Sequence, residues 1–300
     1  LARMLQHMGA SVQGSDRDHS PAVAQLRRQG ISVHIGHSAD CLGAAALVVR
    51  TAAVPDTNPE IEEARRRKLP VLERAQAWGL LMQGYRHAVC VAGTHGKTSA
   101  TSMLTEALLC AHKDPTVMVG GDLPMIGGSL RIGSQDLIVA EACEYKNSFL
   151  SFFPTTAVLL NIGMDHLDFF KDEKDIVSSF HQFACLPPKD GLIVANGEDP
   201  LDVVPERSLQ PRLGQRVATI ATNAHHADRV ARTLKGQGGW RTFAAVRAAA
   251  VSEQPDAGTA AYRFVRYMMD EQKRRDCKRC RKRASCPGAT RRGPSPRLRG

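Results

Sequence analysis

The chain has 300 residues, 43% of them hydrophobic and 23% charged, which suits a globular protein and excludes a fully disordered one. No segment approaches the roughly 18 apolar residues that a membrane-spanning helix needs, and no secretory signal pattern is present, so we expect a cytoplasmic protein with no membrane partner. The net charge of +10 is concentrated between residues 263 and 299, where fourteen Lys or Arg accompany three acids. The rest of the chain is nearly neutral, which disfavours nucleic acid as its partner.

Residues 1–84 alternate short helices and strands. We predict helices at 1–8, 21–29 and 59–67, strands at 11–13, 31–35, 46–50 and 70–72, and a turn at 14–16. Strands separated by helices of about ten residues predict βαβ units and a parallel sheet. A dinucleotide-type domain opens with a strand and a Gly-rich loop, whereas this chain opens within a helix. We therefore expect an N-terminally truncated, Rossmann-like α/β domain.

A second α/β unit is predicted for residues 85–250, incomplete after about residue 200. The strand at 87–92 leads into a Gly-rich loop and a helix at 99–111. Strands at 137–140, 157–161 and 191–195 continue the sheet, with a helix at 173–185 and a possible strand at 217–221. Residues 251–300 are predicted to be an irregular, basic and disordered tail, because they are rich in Arg, Gly and Pro and show no periodicity.

The loop Gly93-Thr94-His95-Gly96-Lys97-Thr98 carries the strongest chemical signal. Glycines allow backbone N–H groups to close around phosphates, and the following helix presents its positive end to them. In such loops the lysine reaches the β- and γ-phosphates and the hydroxyl of the last residue binds Mg²⁺. The full GxxxxGK[ST] pattern needs glycine at position 91, where this chain has Val91. Phosphate binding is the favoured interpretation and a plain strand-to-helix turn is the alternative.

Two further polar clusters follow apolar strands. Glu141 ends one strand, where a carboxylate suits a nucleotide-bound Mg²⁺, and we interpret Glu144 as a surface residue. The segment 161–168 ends another strand and contains His166, which suits a second divalent ion or a phosphate group. The alternatives are a solvated acid for Glu141 and a structural role for His166. Because the carboxyl ends of parallel strands meet at one edge of a sheet, we expect these clusters to lie together.

Taken together, these segments resemble the central domain of the Mur ligases. They read GTHGKTS at 93–99, EACEYKNSFL at 141–150 and NIGMDHLDFF at 161–170. His95 in the loop is similar to the alanine-adding and muropeptide-adding branches of the family, and TAAVPDTNPEI at 51–61 resembles a family motif of the N-terminal domain. The resemblance covers roughly residues 1–200.

The resemblance implies ATP-dependent ligation of L-alanine to UDP-N-acetylmuramate through an acyl phosphate, in peptidoglycan precursor synthesis, with no obligate protein partner. It implies catalytic roles for Lys97 and His166, with Asp165 shaping the site. It also implies that Thr98 and Glu141 hold a first Mg²⁺ and that His166 holds a second metal ion. Residues implied to bind ATP are Gly93, Thr94, His95, Gly96, Lys97, Thr98, Ser99 and Asn161. Those implied to lie near the UDP-sugar are Ser15, Asp16, His37 and Thr51.

The sequence departs from the family in several places. Cys143 replaces an acid, Gln76 replaces a glutamate, and the GxHN segment and the amino-acid-binding domain are not found. We therefore expect the fragment to be inactive alone. The alternatives are a muropeptide ligase that accepts a tripeptide, a non-catalytic nucleotide-binding relative, or a P-loop protein that acts on nucleic acid through its tail.

The tail contains Cys277, Cys280 and Cys286, a spacing that invites a zinc interpretation but provides too few ligands. We interpret the sequence after about 200–250 as the product of a reading-frame error or a truncation, because out-of-frame GC-rich DNA tends to encode Arg, Ala, Gly and Pro without periodicity. A disordered basic extension and a metal or nucleic-acid module are the alternatives.

Overall fold

The computed structural model describes residues 1–196 and the strand at 216–220. The predictions about the tail, including its cysteines and its disorder, lie outside the described residues. Among the described residues, no helix is both long enough and apolar enough to cross a membrane.

The N-terminal region consists of short parallel strands and helices. Its strands are β1 (Gln13–Asp16), β2 (Ser32–Ile35), β3 (Val48–Arg50) and β4 (Val71–Glu73). Its helices are α1 (Ala2–His7), α2 (Pro21–Arg28), α3 (Pro59–Arg66) and α4 (Arg74–Met82). β1 pairs with β2 and β3 with β4, both parallel, as two separate two-stranded sheets. The predicted turn at 14–16 is wrong, because these residues form the ladder of β1 with β2.

Side-chain caps explain where three of these helices begin. Ser20 accepts a hydrogen bond from the backbone of Val23 at the start of α2, and Asn58 accepts one from Glu60 at the start of α3. Helix α4, which the sequence analysis did not predict, begins with a capping box in which Gln76 accepts a hydrogen bond from the backbone N–H of Glu73 at 2.8 Å. Gln76 therefore caps the N-terminus of α4.

The central region is built on one seven-stranded sheet. Its strands are β5 (His87–Ala92), β6 (Thr116–Leu123), β7 (Gly128–Arg131), β8 (Leu137–Glu141), β9 (Thr156–Leu159), β10 (Leu192–Asn196) and β11 (Arg216–Ile220). The strand order is β11-β10-β9-β5-β8-β6-β7, and every pair is parallel except the β6–β7 edge. The helices are α5 (Lys97–Cys110) and α6 (Glu173–Ala184). The hairpin of β6 and β7 was not predicted.

The sheet order determines which residues meet. β5 lies between β8 and β9, so the phosphate loop after β5 is flanked by the residues that end these two strands. Residues far apart in sequence, such as Glu141 and Asn161, therefore lie on either side of one loop. This is the carboxyl edge, where open parallel sheets bind their ligands.

One hydrophobic cluster supports this edge. It packs β5, β8 and β9 against α4 and α6, and it includes Trp78 and Met82 from α4 together with Phe149, Phe180 and Phe183. A Cβ atom at Gly79 would overlap the carbonyl oxygen of Ser151, so α4 packs at backbone distance against the segment Tyr145–Ser151. The hydrophobic cluster contains residues from before and after residue 84, such as Trp78 and Phe149. The domain division at residue 84 therefore stays a prediction.

Candidate nucleotide-binding site

The loop between β5 and α5 has the geometry of an anion-binding turn. Gly93 and Gly96 have φ values of 152° and 85°, conformations that favour glycine. A Cβ atom at Gly93 would lie 2.9 Å from the Cβ atom of Leu160, so the loop also needs glycine there for space. Gly96 is the N-cap of α5, a 14-residue helix whose unpaired N–H groups and dipole favour an anion.

The loop begins later than the full pattern in the sequence analysis requires. Val91 lies inside β5, is 1% exposed, and pairs with Glu141 on one side and Val158 on the other. The side chain of Val91 fills space in the core that a glycine would leave empty. The strand continues to Ala92, and the chain turns at Gly93.

Asn161 fixes the loop from the neighbouring strand. Its Oδ1 accepts a hydrogen bond from the backbone N–H of His95, and its Nδ2 donates to the carbonyl of His95, both at 2.9 Å. The carbonyl of Asn161 also accepts from the N–H of Thr94 at 3.0 Å. The Thr94 hydroxyl donates to the carbonyl of Gly163 and accepts from its N–H, at 3.2 and 2.8 Å. The loop is therefore held in place before any ligand arrives.

Thr98 and Glu141 form the next part of the site. The Thr98 hydroxyl donates to both carboxylate oxygens of Glu141, at 3.1 and 2.9 Å. The backbone N–H of Gly120 on β6 donates to Glu141 Oε2 at 2.7 Å. These oxygen atoms are the kind of ligand that Mg²⁺ prefers.

Glu144 is not a surface residue, and that prediction is wrong. Its side chain is only 2% exposed, and its carboxylate contacts the ammonium group of Lys97 at 3.0 and 2.9 Å. His166 Nε2 lies 3.7 Å from Glu144 Oε1. The fully buried carboxylate is stabilised because it is paired with the partly buried ammonium group of Lys97.

Glu144, Asp165 and His166 each place one donor atom within 4.8 Å of the others. Two carboxylates and an imidazole suit a divalent cation. The backbone N–H of His166 donates to Asp165 Oδ1 at 2.8 Å, and the ring of His166 lies 4.7 Å from that of Tyr145. The structure thus brings together Lys97, Glu141, Asn161, Asp165 and His166, as the sequence predicted.

Two titratable groups beside the site have shifted pKa values. Cys143 is an exposed residue, but partial burial of its thiol raises the pKa of that group, which stays protonated at neutral pH. Tyr145 donates a hydrogen bond to Asp168 at 2.8 Å, and this bond raises the pKa of the Tyr145 hydroxyl.

Comparison with known proteins agrees with this geometry. Residues 1–86 match the family model described as Mur ligase family, catalytic domain, and residues 91–246 match the Mur ligase middle domain. The chain belongs to the Mur ligase family. The match to the middle-domain model extends beyond residue 200, where the resemblance seen in the sequence ended.

Among curated relatives within the Mur ligase family, the chain is 47% identical over 199 residues to a UDP-N-acetylmuramate–L-alanine ligase of Clostridium botulinum. That match covers 66% of this chain and 43% of the relative, so the chain spans less than half the length of the curated protein. The enzyme of the same name from Clostridium perfringens is also 47% identical, with 44% of its length covered.

Two solved Mur ligase structures are similar to this chain. The UDP-N-acetylmuramate–alanine ligase of Thermotoga maritima has a TM-score of 0.61 at 29% identity, covering 73% of this chain and 49% of that one. The UDP-N-acetylmuramate:L-alanyl-γ-D-glutamyl-meso-diaminopimelate ligase of Neisseria meningitides has a TM-score of 0.64 at 29% identity, covering 73% and 72%.

A second polar cluster lies at the carboxyl ends of β1 and β2. The Ser15 hydroxyl donates to Glu60 Oε1 at 2.6 Å, and His37 Nδ1 lies 2.9 Å from the same oxygen and 3.1 Å from the Ser15 hydroxyl. The carbonyl of Asp16 accepts from the N–H of Gly36 at 2.8 Å. Thr51 directly follows β3, which belongs to the other two-stranded sheet.

Sequence reasoning missed Glu60 and the importance of Glu144. Glu60 lies within the TAAVPDTNPEI segment, but an acid in the first turn of a helix is ordinarily interpreted as a favourable helix-dipole contact. Glu144 lies three residues after Glu141 in a motif of the resemblance, and that motif was the one signal that marked it.

Proposed function

We propose that this chain provides the nucleotide-binding part of an ATP-dependent ligase that joins L-alanine to UDP-N-acetylmuramate. The observation that carries the proposal is the assembly of Lys97, Glu141 and Asn161 around one glycine-rich loop at the carboxyl edge of the sheet. The identity of 47% to a ligase with that name supports the choice of substrates.

ATP would place its phosphates against the N-terminus of α5. The loop N–H groups would surround the β-phosphate, and Lys97 would neutralise charge on the γ-phosphoryl group as it is transferred. Asn161 would keep the loop in its binding conformation through the two hydrogen bonds with His95. His95 lies within the loop and Ser99 directly follows it, and both belong to the predicted nucleotide contact.

Two cation sites fit the residues present. Thr98 and Glu141 offer neighbouring oxygen atoms for the Mg²⁺ that accompanies ATP. His166 would belong to a second site, beside Glu144 and Asp165. Bound Mg²⁺ neutralises the negative charge that accumulates between the phosphate oxygens and the attacking carboxylate.

The residues described here would act mainly by positioning. The carboxylate of UDP-N-acetylmuramate would attack the γ-phosphorus, and the bond from that phosphorus to ADP would break, giving an acyl phosphate. The amino group of alanine would then attack the acyl carbon, forming an amide and releasing phosphate. Lys97 and the loop would bind the transferred group at both stages.

The UDP end of the sugar nucleotide would bind near Ser15, Asp16, His37 and Thr51. The carboxylate of Glu60 accepts hydrogen bonds from the side chains of Ser15 and His37, so it would hold both side chains in fixed orientations. Binding energy at this distant group would orient the reacting carboxylate.

A muropeptide ligase is the second candidate. The name of the Neisseria enzyme specifies a tripeptide in the place of L-alanine. Its structure is as similar to this chain as the structure of the alanine ligase. A phosphate-release assay, run once with L-alanine and once with a tripeptide as the acceptor, distinguishes the alanine ligase from the muropeptide ligase. A cytoplasmic location and the absence of an obligate protein partner also stay proposals.

The first test is ATP binding by the purified 300-residue chain, measured by isothermal titration calorimetry with Mg²⁺. We expect wild-type protein to bind ATP and Lys97→Ala to show no binding, because the ammonium group of Lys97 contacts the loop at the carbonyls of Gly93 and Thr94. Lys113→Ala, which alters an exposed lysine just beyond α5, is the matched control. Unchanged ATP affinity in Lys97→Ala would exclude the assignment of the loop.

Phosphate release on addition of UDP-N-acetylmuramate and L-alanine then tests the reaction itself. Release by the chain supports the ligase and contradicts the expectation that the fragment is inactive alone. ATP binding without any release identifies a nucleotide-binding unit that needs the remaining part of its relatives.

A further inference from the structure

Glu144 occupies a rigid and closed position beside the phosphate loop. Its side chain is 2% exposed and ranks among the largest fully buried side chains of the described residues. Its carbonyl accepts from the N–H of Asn147 at 2.9 Å, and the preceding carbonyl, of Cys143, accepts from the N–H of Phe149 at 3.0 Å. Phe149 is itself fully buried, so the backbone at Glu144 has little freedom to move away.

The ammonium group of Lys97 has no free N–H in this arrangement. Its contacts are the carbonyls of Gly93 at 2.6 Å and Thr94 at 3.2 Å, and the carboxylate of Glu144. An ammonium group has three hydrogen-bond donors, and these three directions use all of them. A phosphate oxygen can bind Lys97 only when one of these partners gives way.

We propose that Glu144 is a resident anion of the phosphate site, which holds Lys97 until the terminal phosphate of ATP displaces it. The carboxylate is the one partner that a phosphate can replace charge for charge; the carbonyls of Gly93 and Thr94 belong to the loop that must stay folded. Glu144 is thus a positioning residue that acts through Lys97 and sets the affinity for nucleotide. The inference rests on the proposed binding of ATP.

The exchange keeps every buried charge compensated. Lys97 is 13% exposed and would be costly to leave without an anion, so Glu144 stabilises the nucleotide-free site. Once Lys97 turns to the phosphate, the carboxylate faces Asp165 and His166, the donor set that suits a divalent cation. Glu141 has a different role, because its carboxylate contacts Thr98 and Gly120.

The test is the ATP affinity of Glu144→Gln, measured by calorimetry in buffer with EDTA to exclude divalent cations. Glutamine keeps the size of the side chain and an oxygen that accepts from Lys97, but it removes the competing negative charge. We expect the affinity for ATP to rise about tenfold, since a unit charge within about 4 Å contributes strongly at a partly buried site. We expect a smaller rise for ADP, which lacks the terminal phosphate.

The control is Glu106→Gln, which removes an exposed negative charge from α5, the helix that begins at Lys97. It should leave the affinities for ATP and ADP unchanged. Unchanged or weaker ATP binding by Glu144→Gln overturns the proposal, even if the variant is less thermally stable, because a purely structural role changes stability alone. Failure of the wild-type chain to bind ATP would instead overturn the proposed function.

A measurement on wild-type protein avoids dependence on the folding of the variant. The ¹⁵N–¹H signal of the Lys97 ammonium group, assigned by its loss in Lys97→Ala, reports the partner of that group. We expect ATP to shift this signal and pyrophosphate to shift it less. A signal that does not move at saturating ATP shows that Glu144 is never displaced and overturns the inference.

Discussion

Asn161 acts on the phosphate loop through both atoms of its amide. It donates to and accepts from the backbone of His95, and its own carbonyl accepts from Thr94. A carboxylate could not make the same pair of contacts, because an ionised Asp has no donor. The residue therefore determines the shape of the loop without contributing charge to it.

Replacing Asn161 with Ala should weaken ATP binding roughly tenfold, because two hydrogen bonds worth about 0.5–1.5 kcal/mol each are lost from the binding conformation. Calorimetric titration measures the change, and circular dichroism checks that the fold is retained. Full ATP affinity in this variant would show that the side chain of Asn161 is not needed to hold the loop.

Left-handed backbone is concentrated around Glu144 and His166. Lys146, Asn147 and His166 have φ values of 52°, 56° and 53°. Such conformations cost roughly 1–3 kcal/mol at residues other than glycine and are common at functional sites. Lys146 and Asn147 turn the chain shortly after Glu144, which allows the carboxylate of Glu144 to point inward at Lys97.

At the scale of elements, β6 contributes two glycines with different surroundings. A Cβ atom at Gly120 would lie 2.8 and 2.9 Å from the two carboxylate oxygens of Glu141, whereas one at Gly121 would lie 3.4 Å from the Cγ2 atom of Thr98. The first distance is too short and the second is ordinary van der Waals contact. The carboxylate ends a flexible side chain, so it can move away without unfolding the sheet.

We therefore expect Gly120→Ala to fold but to lose most of its Mg²⁺-dependent ATP affinity, because Glu141 is pushed from Thr98. Gly121→Ala should keep it. Mn²⁺ binding followed by electron paramagnetic resonance, with and without ATP, measures the difference. Equal binding by the two variants would contradict the assignment of Thr98 and Glu141 as a cation site.

The turn at Tyr145–Ser151 is attached to α6 through aromatic packing. Phe149 stacks on Phe183 with ring centroids 4.7 Å apart and meets Phe180 edge-on at 5.3 Å. Asn147 also accepts a hydrogen bond from Ser179. This packing supports the segment that directly follows Glu144.

Phe149→Ala should lower the free energy of unfolding by about 3–5 kcal/mol, the usual cost of a large cavity in a core. Phe153→Ala is the matched control, since that ring is 50% exposed and should cost less than about 1 kcal/mol. Urea denaturation measures both. Similar losses in the two variants would show that the packing at Phe149 is not tight.

At the scale of the whole molecule, the charge is divided between a nearly neutral body and a basic segment at 263–299. The residues of the nucleotide site all lie before residue 170. Deleting residues 263–300 should therefore leave ATP affinity unchanged, and calorimetry of the shortened chain measures it.

Binding of a DNA probe at several salt concentrations tests the alternative role of the tail. Binding that weakens steeply with salt and disappears on deletion would support a nucleic-acid partner. A loss of ATP affinity on deletion would instead show that the basic segment contributes to the nucleotide site.

The sequence alone determined the strand–loop–helix unit at 87–110 and the clustering of Glu141, Asn161 and His166. Both follow from local rules: apolar runs form parallel strands, glycines allow the loop, and the strand ends meet at one edge. The family motifs, which are also local strings, indicated the roles.

The tertiary structure alone decided the positions of Glu60 and Glu144. An acid beyond a strand end is exposed or buried according to the path of the next few residues, and the turn after Glu144 depends on left-handed backbone that no periodicity signals. The helix α4 and the β6–β7 hairpin were missed for a related reason. α4 buries Trp78 and Met82 but also exposes the apolar Leu80, so its apolar residues do not follow the amphipathic period that reveals a surface helix.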